Sequence, residues 1–171
     1  MKSICVALFC ALLSVPLALA DTPAAGDTAP PVSLPSQDGK TVQLSDFAGK
    51  WVVLYFYPKD MTKGCTIEAH NFQRDLAKYT DANAVILGVS VDSAASHTEF
   101  CTKESLTFHL LADTEHKVSD EYGTYKNPPG FAMRVTYLID PQGKIAKVWT
   151  GVNPTNHSEE VLAALADLQK K

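Results

Sequence analysis

Long apolar runs are almost missing from this 171-residue sequence. The one that stands out, residues 4–13 (ICVALFCALL), is too short to cross a bilayer comfortably, so no membrane partner is expected. Runs of lysine and arginine are missing as well, and aromatic residues do not interleave with basic ones. That leaves out the usual footprint of a nucleic-acid binder. The formal net charge of −4 does no more than aid solubility. Cysteine is scarce, with Cys5, Cys10, Cys65 and Cys101 alone. None stands in a Cys-x-x-Cys pair, the motif a thiol–disulfide oxidoreductase would normally use. No internal repeat occurs, and low-complexity sequence is confined to DTPAAGDTAPP at residues 21–31.

The short apolar run has another use. Lys2 supplies a charged start, residues 4–13 an apolar centre, and Pro16 precedes Ala18-Leu19-Ala20, an A-x-A cleavage pattern before Asp21. Residues 1–20 therefore read as a signal peptide, and the protein as exported, in a bacterium to the periplasm. Neither Cys5 nor Cys10 follows a lipoprotein cleavage pattern. Only Cys65 and Cys101 would remain in the mature chain, in an oxidising compartment where such a pair can form a disulfide. Residues 21–30 are small, polar and proline-rich, and read as a flexible leader. Residues 31–171 suffice for one domain with a sizeable core.

The apolar, β-branched and aromatic runs at 51–57 (WVVLYFY) and 84–91 (AVILGVSV) predict strands buried on both faces. Asp38-Gly39, between two short alternating runs, predicts a hairpin ahead of them. Cys65, Ala69, Phe72 and Leu76 follow helical spacing. Asp92 and Ser93 offer caps for a helix through about Glu104. A short strand over 107–111 and a short helix over 116–122, ended by Gly123, come next. The stretch NPPGFAMR reads as a loop. Strands over 135–139 and 145–149 flank the turn Asp140-Pro141-Gln142-Gly143, and an amphipathic helix over 157–169 closes the chain. This alternation makes the class α/β.

Residues 51–72 are where chemistry is expected. Cys65 opens a helix that starts beyond the carboxyl end of a core strand, the edge at which open α/β sheets place their ligands. Backbone N–H groups not yet used by the helix, together with its macrodipole, favour a thiolate there. A cysteine in such a place is also commonly a small buried hydrophobe. Pro58, Thr62 and Cys65 stand in the spacing P-x-x-x-T-x-x-C. The run YFYPKDMTKGCTIEAHNF closely resembles the active-site segment of peroxiredoxins, nearest to the Q subgroup, also called bacterioferritin-comigratory proteins. The resemblance extends over most of the chain after residue 28.

That resemblance implies a thioredoxin-like fold, a central mixed sheet flanked by helices, with an N-terminal β-hairpin extension. It implies a thiol-dependent peroxidase acting on hydrogen peroxide and organic hydroperoxides, with no cofactor and no metal. Cys65 would be the nucleophile and Thr62 a hydroxyl donor to the peroxide. Gly64 would allow close backbone approach. Pro58 would shield the sulfur, and Arg134, just before the strand VTYLID, would match the distant arginine of the family. The plain alternatives are a helix N-cap for Thr62, a strand stop for Pro58 and a surface ion pair for Arg134. Many members of the subgroup carry a resolving cysteine five residues after the first, where this chain has His70; Cys101 matches the other arrangement. The resemblance thus implies a Cys65–Cys101 disulfide reduced by a thioredoxin-like or glutaredoxin-like partner, in a protein that is monomeric. Cys101 is otherwise a packing residue beside Phe100 and Leu106. Two cysteines on separate helices do not meet the ~4.4–6.8 Å Cα spacing of a disulfide without movement, so the first turn at Cys65 and part of the Cys101 helix are expected to unwind. One departure is visible: the family's T-P-G-C is Thr62-Lys63-Gly64-Cys65 here. Lys63 frees the loop backbone and adds a cation. A rival reading is an exported copper-binding or metal-delivery protein using Cys65, His70, Met61 and His109. Residues five apart on a helix diverge, which counts against pairing Cys65 with His70. A domain with a static disulfide is the bland alternative.

Overall fold

The strand expected at 51–57 forms as β3 (Trp51–Phe56) and lies at the middle of a five-stranded sheet. The computed structural model describes residues 22–170; the expected signal peptide, residues 1–20, lies outside the described residues. Ahead of β3, the hairpin signal becomes β1 (Ser33–Pro35) and β2 (Thr41–Gln43), followed by a 3₁₀ turn at Leu44–Phe47. After β3 come α1 (Lys63–Asp81), β4 (Ala84–Ser90), α2 (Ala94–Glu104), β5 (His109–Ala112) and α3 (Lys117–Glu121). The chain ends through β6 (Tyr125–Lys126), β7 (Phe131–Ala132), β8 (Val135–Ile139), β9 (Ile145–Trp149) and α4 (His157–Leu168). The sheet runs β5-β4-β3-β8-β9. Its β3, β4 and β5 are parallel, while β8 pairs antiparallel with both β3 and β9.

Alternation along β3 divides the core in two. Val53, Tyr55 and Tyr57 face one cluster with Cys65, Ala69 and Phe72 of α1, Phe100 and Cys101 of α2, and Val161 and Leu165 of α4. Val52, Leu54 and Phe56 face the other, with Leu34 and Val42 of the hairpin, Val118 of α3 and Tyr137 of β8. Both faces of the strand are therefore dry, which is why its sequence shows no polar alternation.

Two expectations change. NPPGFAMR is not a plain loop: it supplies the turn and second strand of the β6–β7 hairpin, in which the peptide bonds before Pro128 and Pro129 are both cis. Gly130 takes φ +84°, and its N–H donates to the Lys126 carbonyl at 2.7 Å. The segment expected as a flexible leader is, from Gly26 onward, hydrogen-bonded to the domain. Gly26 N–H donates to the Ile145 carbonyl at 2.8 Å, Ile145 N–H to Asp27 at 2.9 Å, and Ala29 N–H to Gly143 at 2.9 Å. The Tyr122 hydroxyl donates to the Pro30 carbonyl at 2.7 Å. An edge strand leaves donors and acceptors unpaired, and this segment takes those at the start of β9.

Candidate active site

Where β3 ends, Tyr57 N–H still donates to the Val89 carbonyl at 3.0 Å, and the chain then leaves the sheet at half-buried Pro58. Met61 adopts φ +57°, a left-handed bend rare for a side chain with a Cβ, and it turns the loop sharply into α1. Thr62 occupies the N-cap position with extended backbone. The first intrahelical bond runs from Thr66 N–H to the Thr62 carbonyl at 2.9 Å. The N–H groups of Gly64 and Cys65 precede that bond, so they face outward at the positive end of the helix. Cys65 lies in this turn with 2 % of its surface exposed, and its thiol is free.

Arg134 comes to it from the far side of the sheet centre. It sits immediately before β8, which pairs with β3, so the register carries its guanidinium to the start of α1. Arg134 Nη2 donates to Cys65 Sγ at 3.4 Å. Arg134 Nη1 donates to Glu68 Oε2, forming an ion pair in which the arginine side chain is 17 % and the glutamate 1 % exposed. Gly64 makes room for this: a Cβ there would lie 3.3 Å from Arg134 Nη2. One guanidinium thus serves a sulfur and a carboxylate at once. Burial pushes the Glu68 carboxyl up to about 7 against the opposing pull of Arg134.

The structure therefore brings together Cys65, Gly64 and Arg134 of the expected residues, and adds Glu68. Nothing in the P-x-x-x-T-x-x-C spacing announces Glu68. Its place three residues after Cys65, on the same helix face, is the signal that could have found it. Thr62 is exposed, and its hydroxyl donates to the Lys59 carbonyl at 3.0 Å instead of capping the helix. Lys63 is exposed. Cys101 lies on α2, is 8 % exposed, and shares a core cluster with Cys65. Burial, with the Asp60 charge adding to it, pushes the Cys101 thiol up to about 11. Both thiols are free, so no static disulfide joins them.

The copper ligand set does not assemble. His70 Nε2 pairs with Glu104 Oε2 at 2.8 Å, and Cys65 is engaged by Arg134. Among the described residues, no group of three or more His, Cys, Asp and Glu is placed to hold a metal.

The sequence of the AhpC/TSA family matches residues 25–148 of the chain. Peroxiredoxin Bcp of Bacillus subtilis is 42% identical over 152 residues, spanning 85% of this chain and 97% of that protein. Peroxiredoxin Bcp of Escherichia coli is 40% identical over 144 residues, spanning 81% and 92%. Among solved structures, a mutant of Xylella fastidiosa PrxQ superposes with a TM-score of 0.82 at 34% identity, covering 87% of this chain and 99% of that one. The sheet and its flanking helices match those of such structures.

Proposed function

The chain belongs to the AhpC/TSA family and is a peroxiredoxin, a thiol-dependent peroxidase of thioredoxin-like fold, and from that premise we propose a two-cysteine cycle for it. The substrates are hydrogen peroxide and organic hydroperoxides. Cys65 attacks as the thiolate on the terminal peroxide oxygen. An S–O bond forms as the O–O bond breaks, the peroxide is reduced, and Cys65 becomes a sulfenic acid. The departing hydroxide or alkoxide takes a proton and leaves as water or alcohol. Arg134 and the N–H groups of Gly64 and Cys65 stabilise the charge developing on the oxygens. The Thr62 hydroxyl turns from the Lys59 carbonyl to donate to the peroxide, and Pro58 limits water at the sulfur.

The Cys101 sulfur then attacks the sulfenic sulfur. An S–S bond forms, the S–O bond breaks, and the departing hydroxide leaves as water with the proton of the Cys101 thiol. Release of α2 and of the first turn of α1 precedes this step, since both thiols start buried on separate helices. A thioredoxin-like or glutaredoxin-like dithiol returns the enzyme to the reduced state. The signal-peptide pattern of residues 1–20 supports export to the periplasm, where the protein works as a monomer.

The observation that carries this reading is the 3.4 Å bond from Arg134 to the sulfur of Cys65 at a helix N-terminus. Intact mass after one equivalent of hydrogen peroxide tests it. Wild type is expected to lose two hydrogens, and Cys101→Ser to hold a sulfenic acid. Overoxidation of Cys65 in both would leave a one-cysteine cycle, and no change in either would remove the peroxidase reading of Cys65.

A further inference from the structure

Asp60, in the loop between Pro58 and Thr62, is buried, and three side chains bond its carboxylate. The Tyr57 hydroxyl donates to its Oδ1 at 2.7 Å, and the Ser96 hydroxyl to its Oδ2 at 2.7 Å. His97 Nδ1 lies 2.8 Å from the same Oδ2. An ionised carboxylate only accepts, so this histidine nitrogen carries the proton. Although burial opposes it, the bonds and charge from His97, Ser96 and Tyr57 hold the Asp60 carboxyl below its usual range. The Asp60 backbone N–H donates to Asp92 Oδ2 at 2.9 Å, an oxygen that also accepts from the Ser90 hydroxyl at 2.7 Å. Asp92 directly precedes Ser93, the N-cap of α2. The groups facing Asp60 thus come from the end of β3, the β4–α2 connection and the first turn of α2.

His97 is fully buried, and its Nε2 has no partner. Cys101 stands one helical turn further on, on the same buried face. The loop that carries the peroxidatic site and the helix that carries the second thiol are therefore joined at one carboxylate.

We propose that Asp60, gripped by Ser96 and His97, is a latch that holds α2 against the Cys65 loop and sets how readily Cys101 is released. Asp60 and His97 are positioning residues: they touch no reacting atom. The inference rests on the resolving role of Cys101 and names what controls it. A latch of this kind is reversible for a physical reason. Donors to a buried carboxylate hold the closed form, because removing them would strand a charge. Opening exposes that carboxylate and the unpartnered Nε2 to water, which satisfies both, so the net hold is small. The same carboxylate charge adds to burial in keeping the Cys101 thiol protonated while α2 is docked. Release removes both effects together and delivers a thiol that ionises more easily.

Asp60→Asn and the milder Ser96→Ala, in the full chain, test the latch by amide hydrogen exchange of the reduced protein. Exchange of α2 amides is expected to rise about tenfold, the effect of losing one hydrogen bond to a charged group, with β3 and β4 unchanged. After peroxide, both variants are expected to form the disulfide faster and to accumulate less sulfinic acid at high peroxide than wild type. Unchanged α2 exchange in both variants, or an equal rise across the central sheet, overturns the latch. Exchange needs no peroxide, so it judges the latch alone. A wild type that forms no Cys65–Cys101 disulfide overturns the resolving role instead.

Discussion

Arg134 holds two partners that compete for it, the Cys65 sulfur and the Glu68 carboxylate. Its planar fork lets it serve both, which a lysine ammonium would not do in the same geometry. Arg134→Gln is expected to lower kcat/KM for peroxide by about 10²–10³-fold, the scale of losing one donor aimed at developing charge. Steady-state assays with hydrogen peroxide read this directly. Glu68 binds its proton more tightly in the folded chain, at about 7 against an ordinary 4.5, because burial disfavours its charge. Its contribution to stability is thus fully present below pH 4.5 and is lost as pH rises through about 7. Glu68→Gln cannot ionise. The fall in melting temperature between these two pH values is expected to be smaller in the variant, as thermal melts across that window would record.

At the scale of the element, the start of α1 is where this chain departs from its family pattern. Lys63 is the first helical residue, a position where a missing N–H costs nothing and proline is favoured. Thr62, at φ −80° and ψ 148°, already has the backbone that a residue before proline requires. Lys63→Pro is therefore expected to stabilise the reduced protein by about 0.4–1 kcal/mol, chiefly by restricting the unfolded chain. A shift of the urea midpoint at unchanged m-value would measure it. At the other helix, Ser93 accepts from Ser96 N–H at 3.2 Å. Ser93→Ala is expected to cost about 1 kcal/mol, read in the same way. These helices were legible because caps and 3.6-residue spacing are local signals. The β6–β7 hairpin was not: its strands have two residues each, too short for any alternation to show.

For the whole molecule, the core beneath Tyr55 leaves no room for a side chain at Gly88. A Cβ on Gly88 would fall 2.7 Å from Tyr55 Cζ and 2.6 Å from Leu110 Cδ2. Glycine is needed there for space, and β4 gives up a side chain so that the ring of β3 can lie across it. Gly88→Ala is expected to cost about 1–3 kcal/mol by overpacking, measured by chemical denaturation. Both sheet edges are partly covered by chain from outside the sheet. Gln37 bonds the backbone of Phe108 and Leu110 at the β5 edge, and residues 26–29 pair beside β9.

The order of elements apart from the β6–β7 hairpin, the placement of Cys65 in the first turn of a helix after a core strand, and the P-x-x-x-T-x-x-C spacing were all determined by the sequence alone. Each depends on residues close together in the chain, where periodicity, caps and breakers act directly. The family pattern also pointed to Arg134 across a long separation. Tertiary structure alone decided what that arginine holds besides the sulfur. Glu68 matters because β8 beside β3 brings the guanidinium over one face of α1, and burial then raises the carboxyl. It also decided that Asp60, unmarked in the sequence, meets Ser96 and His97. Those contacts join segments more than thirty positions apart, and only packing on a shared sheet can bring such groups together.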